Sequence, residues 1–167
     1  CGNIGVPVLD AIRDPDGFDV LVIELSSYQL HWWTGIVAPL AAVCLNLADD
    51  HYDWHGSARA YRDAKARVYE NVRVACVYNL ADAATREMVE EAEVQEGARA
   101  IGFGATIPGP SDVGIVEGIL VDRAFLDDRR NAALELATLD DLRESGLDAP
   151  HSVQNVLASA ALARAAD

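Results

Sequence analysis

Apolar positions along this chain fall into short unbroken runs separated by amphipathic stretches. Phe18–Leu25 (Phe-Asp-Val-Leu-Val-Ile-Glu-Leu) and Leu40–Leu47 (Leu-Ala-Ala-Val-Cys-Leu-Asn-Leu) are nearly continuous apolar segments of strand length, the pattern of strands buried on both faces of a parallel sheet. From Ser57, a residue suited to an N-cap, the spacing changes to a helical one. Ala58, Tyr61, Lys65, Val68, Tyr69 and Val72 then share one side, and Arg59, Arg62, Asp63, Ala66, Arg67 and Glu70 the other. A third strand is predicted over Val72–Tyr78, a helix capped by Asp82 to about Glu96 and closed by Gly97, and a fourth strand over Arg99–Phe103. This strand-helix alternation predicts an α/β fold with a mostly parallel sheet, right-handed crossovers and flanking helices. Beyond Gly104 the texture turns to Gly, Pro and Ser. Val113–Val121 with a turn at Gly118, Arg123–Leu126 and Leu134–Leu139 read as a small antiparallel edge around 112–139. At the two ends, Gly2–Pro7 reads as a turn with Pro7 opening a short helix, and Val153 to about Ala166 as an alanine-rich helix.

Composition narrows the function. A chain of 167 residues that is 51% hydrophobic can bury one real core. A net charge of −14 argues against nucleic acid or an anionic membrane as a partner, because phosphate binding rests on clustered Lys and Arg. Three cysteines, two of them inside apolar runs, and no apolar stretch long enough to span a bilayer point to a reducing, cytoplasmic setting. The chain lacks an initiator Met and opens within a glycine turn, so a fragment is expected.

The densest chemistry follows the second apolar run. Asn46-Leu47-Ala48-Asp49-Asp50-His51-Tyr52-Asp53-Trp54-His55 sets three carboxylates and two imidazoles within seven residues, a hard oxygen and nitrogen donor set of the kind a divalent cation selects. Lys65 follows on the apolar side of the next helix. It is the sole lysine among 13 basic residues, so arginine serves wherever a plain charge suffices. A partly desolvated lysine can act as a neutral amine, which a guanidinium cannot; the alternative is a lysine whose stem covers apolar surface while its head reaches water. Glu24, at the carboxyl end of the first run, is placed for a metal or for an arginine partner. Asp53 and His55 read either as ligands or as caps of the following helix, and Asn155 as a polar residue in the first turn of the last helix.

Gly2-Asn3-Ile4-Gly5, Glu24-Leu25-Ser26-Ser27-Tyr28-Gln29-Leu30, Asn46-Leu47-x-x-Asp50-His51-x-Asp53, Tyr61-x-x-Ala64-Lys65 and His151-x-x-x-Asn155, in this order, resemble the central ATP-binding domain of the Mur ligases. The resemblance covers essentially the whole chain. It implies ATP-dependent amide formation in cytoplasmic peptidoglycan precursor synthesis. The carboxylate of UDP-N-acetylmuramoyl-L-alanine would be phosphorylated by ATP, and the acyl phosphate attacked by D-glutamate. It further implies that Glu24 holds one of two Mg2+ ions and His51 the other, with Lys65, as a carbamate, supporting the second. Asn3, Ser26 and Gln29 would contact the UDP-sugar and Asn155 the nucleoside of ATP.

Residues 1–167 are then expected to be an incomplete central domain, with the UDP-binding domain, the P-loop and the D-glutamate-binding domain elsewhere, and to be inactive alone. A P-loop cannot lie within this chain, because its only lysine is followed by Ala66. Ser152 stands where the family usually has asparagine. Three other readings stay open: a dinuclear metallohydrolase built on Asp50, His51, Asp53, His55 and Lys65; an idle acidic interaction domain; and another amide ligase of this architecture, such as folylpolyglutamate synthetase, against which the Ser-Ser-Tyr-Gln run argues.

Overall fold

In the computed structural model, which describes residues 1–48 and 52–167, the chain forms a six-stranded sheet covered by helices. In chain order the elements are α1 (Val8–Ala11), α2 (Ser27–His31), β1 (Ala41–Cys44), α3 (Tyr52–His55), α4 (Ala58–Ala66), β2 (Ala75–Asn79) and α5 (Ala83–Glu90). They continue as β3 (Arg99–Phe103), β4 (Asp112–Val116), β5 (Ile119–Asp122), β6 (Leu134–Thr138), α6 (Leu139–Glu144) and α7 (Pro150–Arg164). The strands lie side by side in sequence order, parallel from β1 to β4 and antiparallel from β4 to β6. The mostly parallel sheet and the antiparallel edge both match the hydrophobic pattern.

The apolar runs within the strands are explained by the two layers that cover them. Ala75, Val77, Ile101 and Phe103 point to one face, against Val153, Leu157, Ala158 and Ala161 of α7. Cys76 and, on β1, Ala42 and Cys44 point to the other, against Tyr69, Val72 and Met88. The two strand cysteines behave as small hydrophobes, and burial pushes the Cys76 thiol up to about 12. Between β4 and β5, Glu117 and Gly118 both take positive φ (50° and 83°), the two-residue turn whose twist suits a tight hairpin.

A single buried phenol ties β1 to β2. The α4 helix tightens into a 3-10 turn over Arg67–Tyr69, which carries Tyr69 under the sheet, fully buried. Its hydroxyl donates to the Val77 carbonyl (2.7 Å) and accepts the Cys44 amide (2.8 Å), and desolvation holds its ionisation far above the usual tyrosine range. Tyr69→Phe keeps the ring but leaves two buried backbone groups short of a partner, and is expected to cost about 1–3 kcal/mol. Equilibrium urea unfolding checks this; a loss below about 0.5 kcal/mol would mean that the hydroxyl does not bridge the strands.

Three predicted elements differ. Phe18–Leu25 is not a strand covered on both faces. It is extended chain whose backbone partners are Cys1–Asn3, with an isolated parallel bridge from Gly2 to Glu24, and Phe18, Val20 and Val22 are exposed among the described residues. Nor does it neighbour β1, whose ladder partner is β2. Arg123–Leu126 is a bend, because the Asp122 carboxylate takes the Ala124 and Phe125 amides that a ladder would need. The predicted helix to Glu96 stops at Glu90: Gln95 donates to Val72 and Glu93 accepts from Asn71, so tertiary bonds replace its last turns. No helix among the described residues is long and apolar enough to cross a membrane.

Candidate functional site

The Gly-Asn turn and the Glu24 segment meet because Gly2 lacks a side chain. A Cβ there would stand 2.2 Å from the Glu24 carbonyl oxygen, and its φ of 117° is one that L residues rarely adopt. Backbone bonds from Glu24 to Cys1 (2.9 Å) and from Asn3 to Glu24 (2.8 Å) close the contact. The Asn3 amide nitrogen then lies 3.3 Å from Glu24 Oε1, so two predicted site residues are neighbours on the surface.

Two residues further on, Ser26 and Gln29 form a reciprocal cap on α2. Gln29 donates its backbone N–H to Ser26 Oγ (3.3 Å), while Gln29 Oε1 accepts from the Ser26 amide (2.8 Å) and hydroxyl (3.0 Å). The cap fixes both predicted substrate contacts at the start of a helix.

Lys65 is half-buried near the end of α4, its Nζ 5.8 Å from the centroid of the Tyr61 ring. Burial pushes the Cys44 thiol up against the pull of the Lys65 ammonium, which places that ammonium within electrostatic reach of the carboxyl end of β1. The segment leaving this strand end is pinned on both sides of Asn46. Asn79 Nδ2 donates to the Leu45 carbonyl (2.9 Å), and the Leu47 amide donates to Asp82 (2.7 Å). Asp82 also caps α5 through the Ala84 amide (3.0 Å). Its capping is legible in the sequence; its hold on Leu47, and the role of Asn79, are not.

Asp49, Asp50 and His51 lie outside the described residues, so the predicted ligand His51 and the Asp50 of the hydrolase reading are not placed. Neither Asp53 nor His55 caps α4. That cap is Ser57, which accepts the Ala60 amide (3.1 Å). His55 instead shares a 3.0 Å hydrogen bond through Nε2 with Ser27 Oγ, which disfavours it as a metal ligand through that nitrogen. Among the described residues no trio of His, Cys, Asp or Glu is grouped to hold a metal.

With this geometry in place, residues 2–163 match the family model for the Mur ligase middle domain. This chain belongs to the Mur ligase family. Among its relatives are three named UDP-N-acetylmuramoylalanine–D-glutamate ligase. One from Leifsonia xyli subsp. xyli is 72% identical over 99% of this chain and 33% of its own length. One from Streptomyces avermitilis is 57% identical (98% and 34%), and one from Tropheryma whipplei is 48% identical (100% and 36%). The chain spans about a third of the length of the curated relatives it matches.

In this Mur ligase domain the third predicted region lies at the start of α7, which Pro150 opens. His151 and Asn155 are exposed there. Beside them Ala105, Ile115, Leu139 and Val153 line an apolar groove that Gln154 and His151 also border. Gln154 Oε1 is buried with no hydrogen-bond partner among the described residues. Sequence reasoning passed over Gln154, since one amide in an alanine-rich helix carries no signal of its own.

Proposed function

We propose that this chain is the central ATP- and magnesium-binding part of a cytoplasmic ligase that joins D-glutamate to UDP-N-acetylmuramoyl-L-alanine during peptidoglycan precursor synthesis. The observation that carries this reading is 72% identity over 99% of the chain to a relative of that name. The local geometry supports it. Asn3 and the Ser26–Gln29 cap offer amide and hydroxyl groups on adjoining segments, suited to a polar nucleotide sugar. The groove beside the start of α7, walled by Ala105, Ile115, Leu139 and Val153 and bordered by Gln154 and His151, suits the flat apolar face of a base, with Asn155 contacting the nucleoside.

The donor set suits magnesium: Glu24 is an exposed carboxylate, an oxygen ligand of the type this ion prefers. Glu24, His51 and a carbamylated Lys65 would hold the two ions. When bound, they would offset the negative charge that gathers as a phosphoryl group meets the substrate carboxylate. Lys65 has the setting a carbamate needs, half-buried beside an aromatic ring rather than fully solvated. Asn79 and Asp82 contribute by fixing the backbone on either side of Asn46, and so the start of the segment that bears His51.

Steady-state assay of the full-length enzyme carrying this chain tests the reading. ADP release should require both UDP-N-acetylmuramoyl-L-alanine and D-glutamate. Release that ignores D-glutamate, or zinc-dependent phosphoesterase activity without ATP, would favour the hydrolase reading instead.

A further inference from the structure

The proposed substrate-gripping turn and the proposed metal-supporting lysine are on different helices, and one imidazole joins them. Ser27, the first residue of α2 and next to Ser26, is 5% exposed, and its hydroxyl shares the 3.0 Å bond with His55 Nε2. The His55 ring lies nearly parallel to Tyr28 of α2 (5.7 Å between centroids, 23°) and edge-on to Trp54 (4.6 Å). Tyr61 of α4, the ring over which Lys65 Nζ sits, is 5.4 Å from it and tilted at 59°. Ser26, Ser27, His55, Tyr61 and Lys65 thus form one continuous chain of contacts across α2, α3 and α4. Aromatic rings resist compression, and a partly buried hydrogen bond sets direction, so the assembly fixes spacing as well as attachment.

We infer that His55 is a positioning residue of the ligase reaction: through Ser27 it sets where the Ser26–Gln29 turn holds the nucleotide sugar relative to Lys65. The inference rests on the ligase reading above. It assigns His55 neither a metal nor a proton transfer. What it requires is a group that can hydrogen-bond Ser27 from the position of Nε2.

The test uses the full-length enzyme with the UDP-sugar and ATP varied separately. His55→Phe keeps a ring but removes the bond to Ser27, and the KM for the UDP-sugar should rise about tenfold, the worth of one hydrogen bond, while the KM for ATP stays within about twofold. His55→Gln, whose amide reaches the place of Nε2, should bring the KM back to within about threefold of wild type. Ser27→Ala, a small change that preserves the fold, should reproduce the His55→Phe defect, and the double variant should be no worse than either single one. Equal changes in both KM values, a His55→Gln enzyme as impaired as His55→Phe, or defects that multiply in the double variant would overturn the inference. Wild-type enzyme that fails to use D-glutamate would end the ligase reading as well, whereas active wild type with unaltered variants would end this inference alone.

Discussion

Lys65→Arg in the full-length enzyme carrying this chain should lower kcat by about 10²–10³-fold, the scale of losing one preorganised charge-stabilising group, while leaving the thermal unfolding midpoint close to wild type. The substitution separates two properties that lysine combines. Arginine keeps a positive charge and a long stem able to cover the Tyr61 ring, so whatever Lys65 contributes to packing survives. A guanidinium stays protonated and cannot take up carbon dioxide, so the carboxylate that would face the second magnesium is lost. The composition makes the choice of residue pointed, since every other basic position in the chain is arginine. Turnover with and without added bicarbonate, alongside a melting curve, measures the effect. Full activity in both conditions would leave Lys65 as a stem-burying surface lysine and remove the carbamate from the mechanism.

What was readable in advance depended on the distance over which each signal acts. Arg99–Phe103 is found with the ends the pattern predicts because its last three residues, Ile101, Gly102 and Phe103, are buried in the sheet, and a local run of residues without polar side chains marks that burial. The Asp82 cap acts over two residues and its residue type announces it, whereas the helix that Ser26 and Gln29 cap is too short for a periodic signal. Phe18–Leu25 shows the limit of the same signal: its residues are apolar enough for a core strand, but the pattern does not say what covers them. The helix predicted to Glu96 fails for a related reason, since its last turns are taken by bonds to Asn71 and Val72 on another segment. In the site, Asn3 and Glu24 are each legible as polar groups beside special backbone, and their meeting depends on Gly2 admitting a carbonyl oxygen where a side chain would clash. The His55–Ser27 bond spans 28 positions and two helices. Nothing local marks His55 as a partner of Ser27: its position before α4 fits a ligand or a cap equally, and the cap is Ser57.

Asp122→Ala should cost about 3–5 kcal/mol, a large share of the roughly 5–15 kcal/mol that holds a domain folded. Asp122 is 0% exposed at the end of β5, and its carboxylate satisfies three donors: the Ala124 amide (2.7 Å), the Phe125 amide (3.1 Å) and Arg164 Nε (3.0 Å). Alanine leaves the buried Ala124 amide and the partly buried Phe125 amide without this acceptor and unties β5 from the C-terminal turn of α7, the helix that covers one face of the sheet. Arg164 is the partner that can adapt, because its side chain is 24% exposed and also pairs with Asp167. Arg164→Met should therefore be the more damaging reciprocal change, stranding a carboxylate that has no path to water. Asp122→Asn retains an acceptor for the amides while giving up the charge on Arg164, and should fall between wild type and Asp122→Ala. Equilibrium urea unfolding of the three variants ranks them. A loss within about 1 kcal/mol for Asp122→Ala would show that water replaces the carboxylate and that the bend after β5 holds α7 without it.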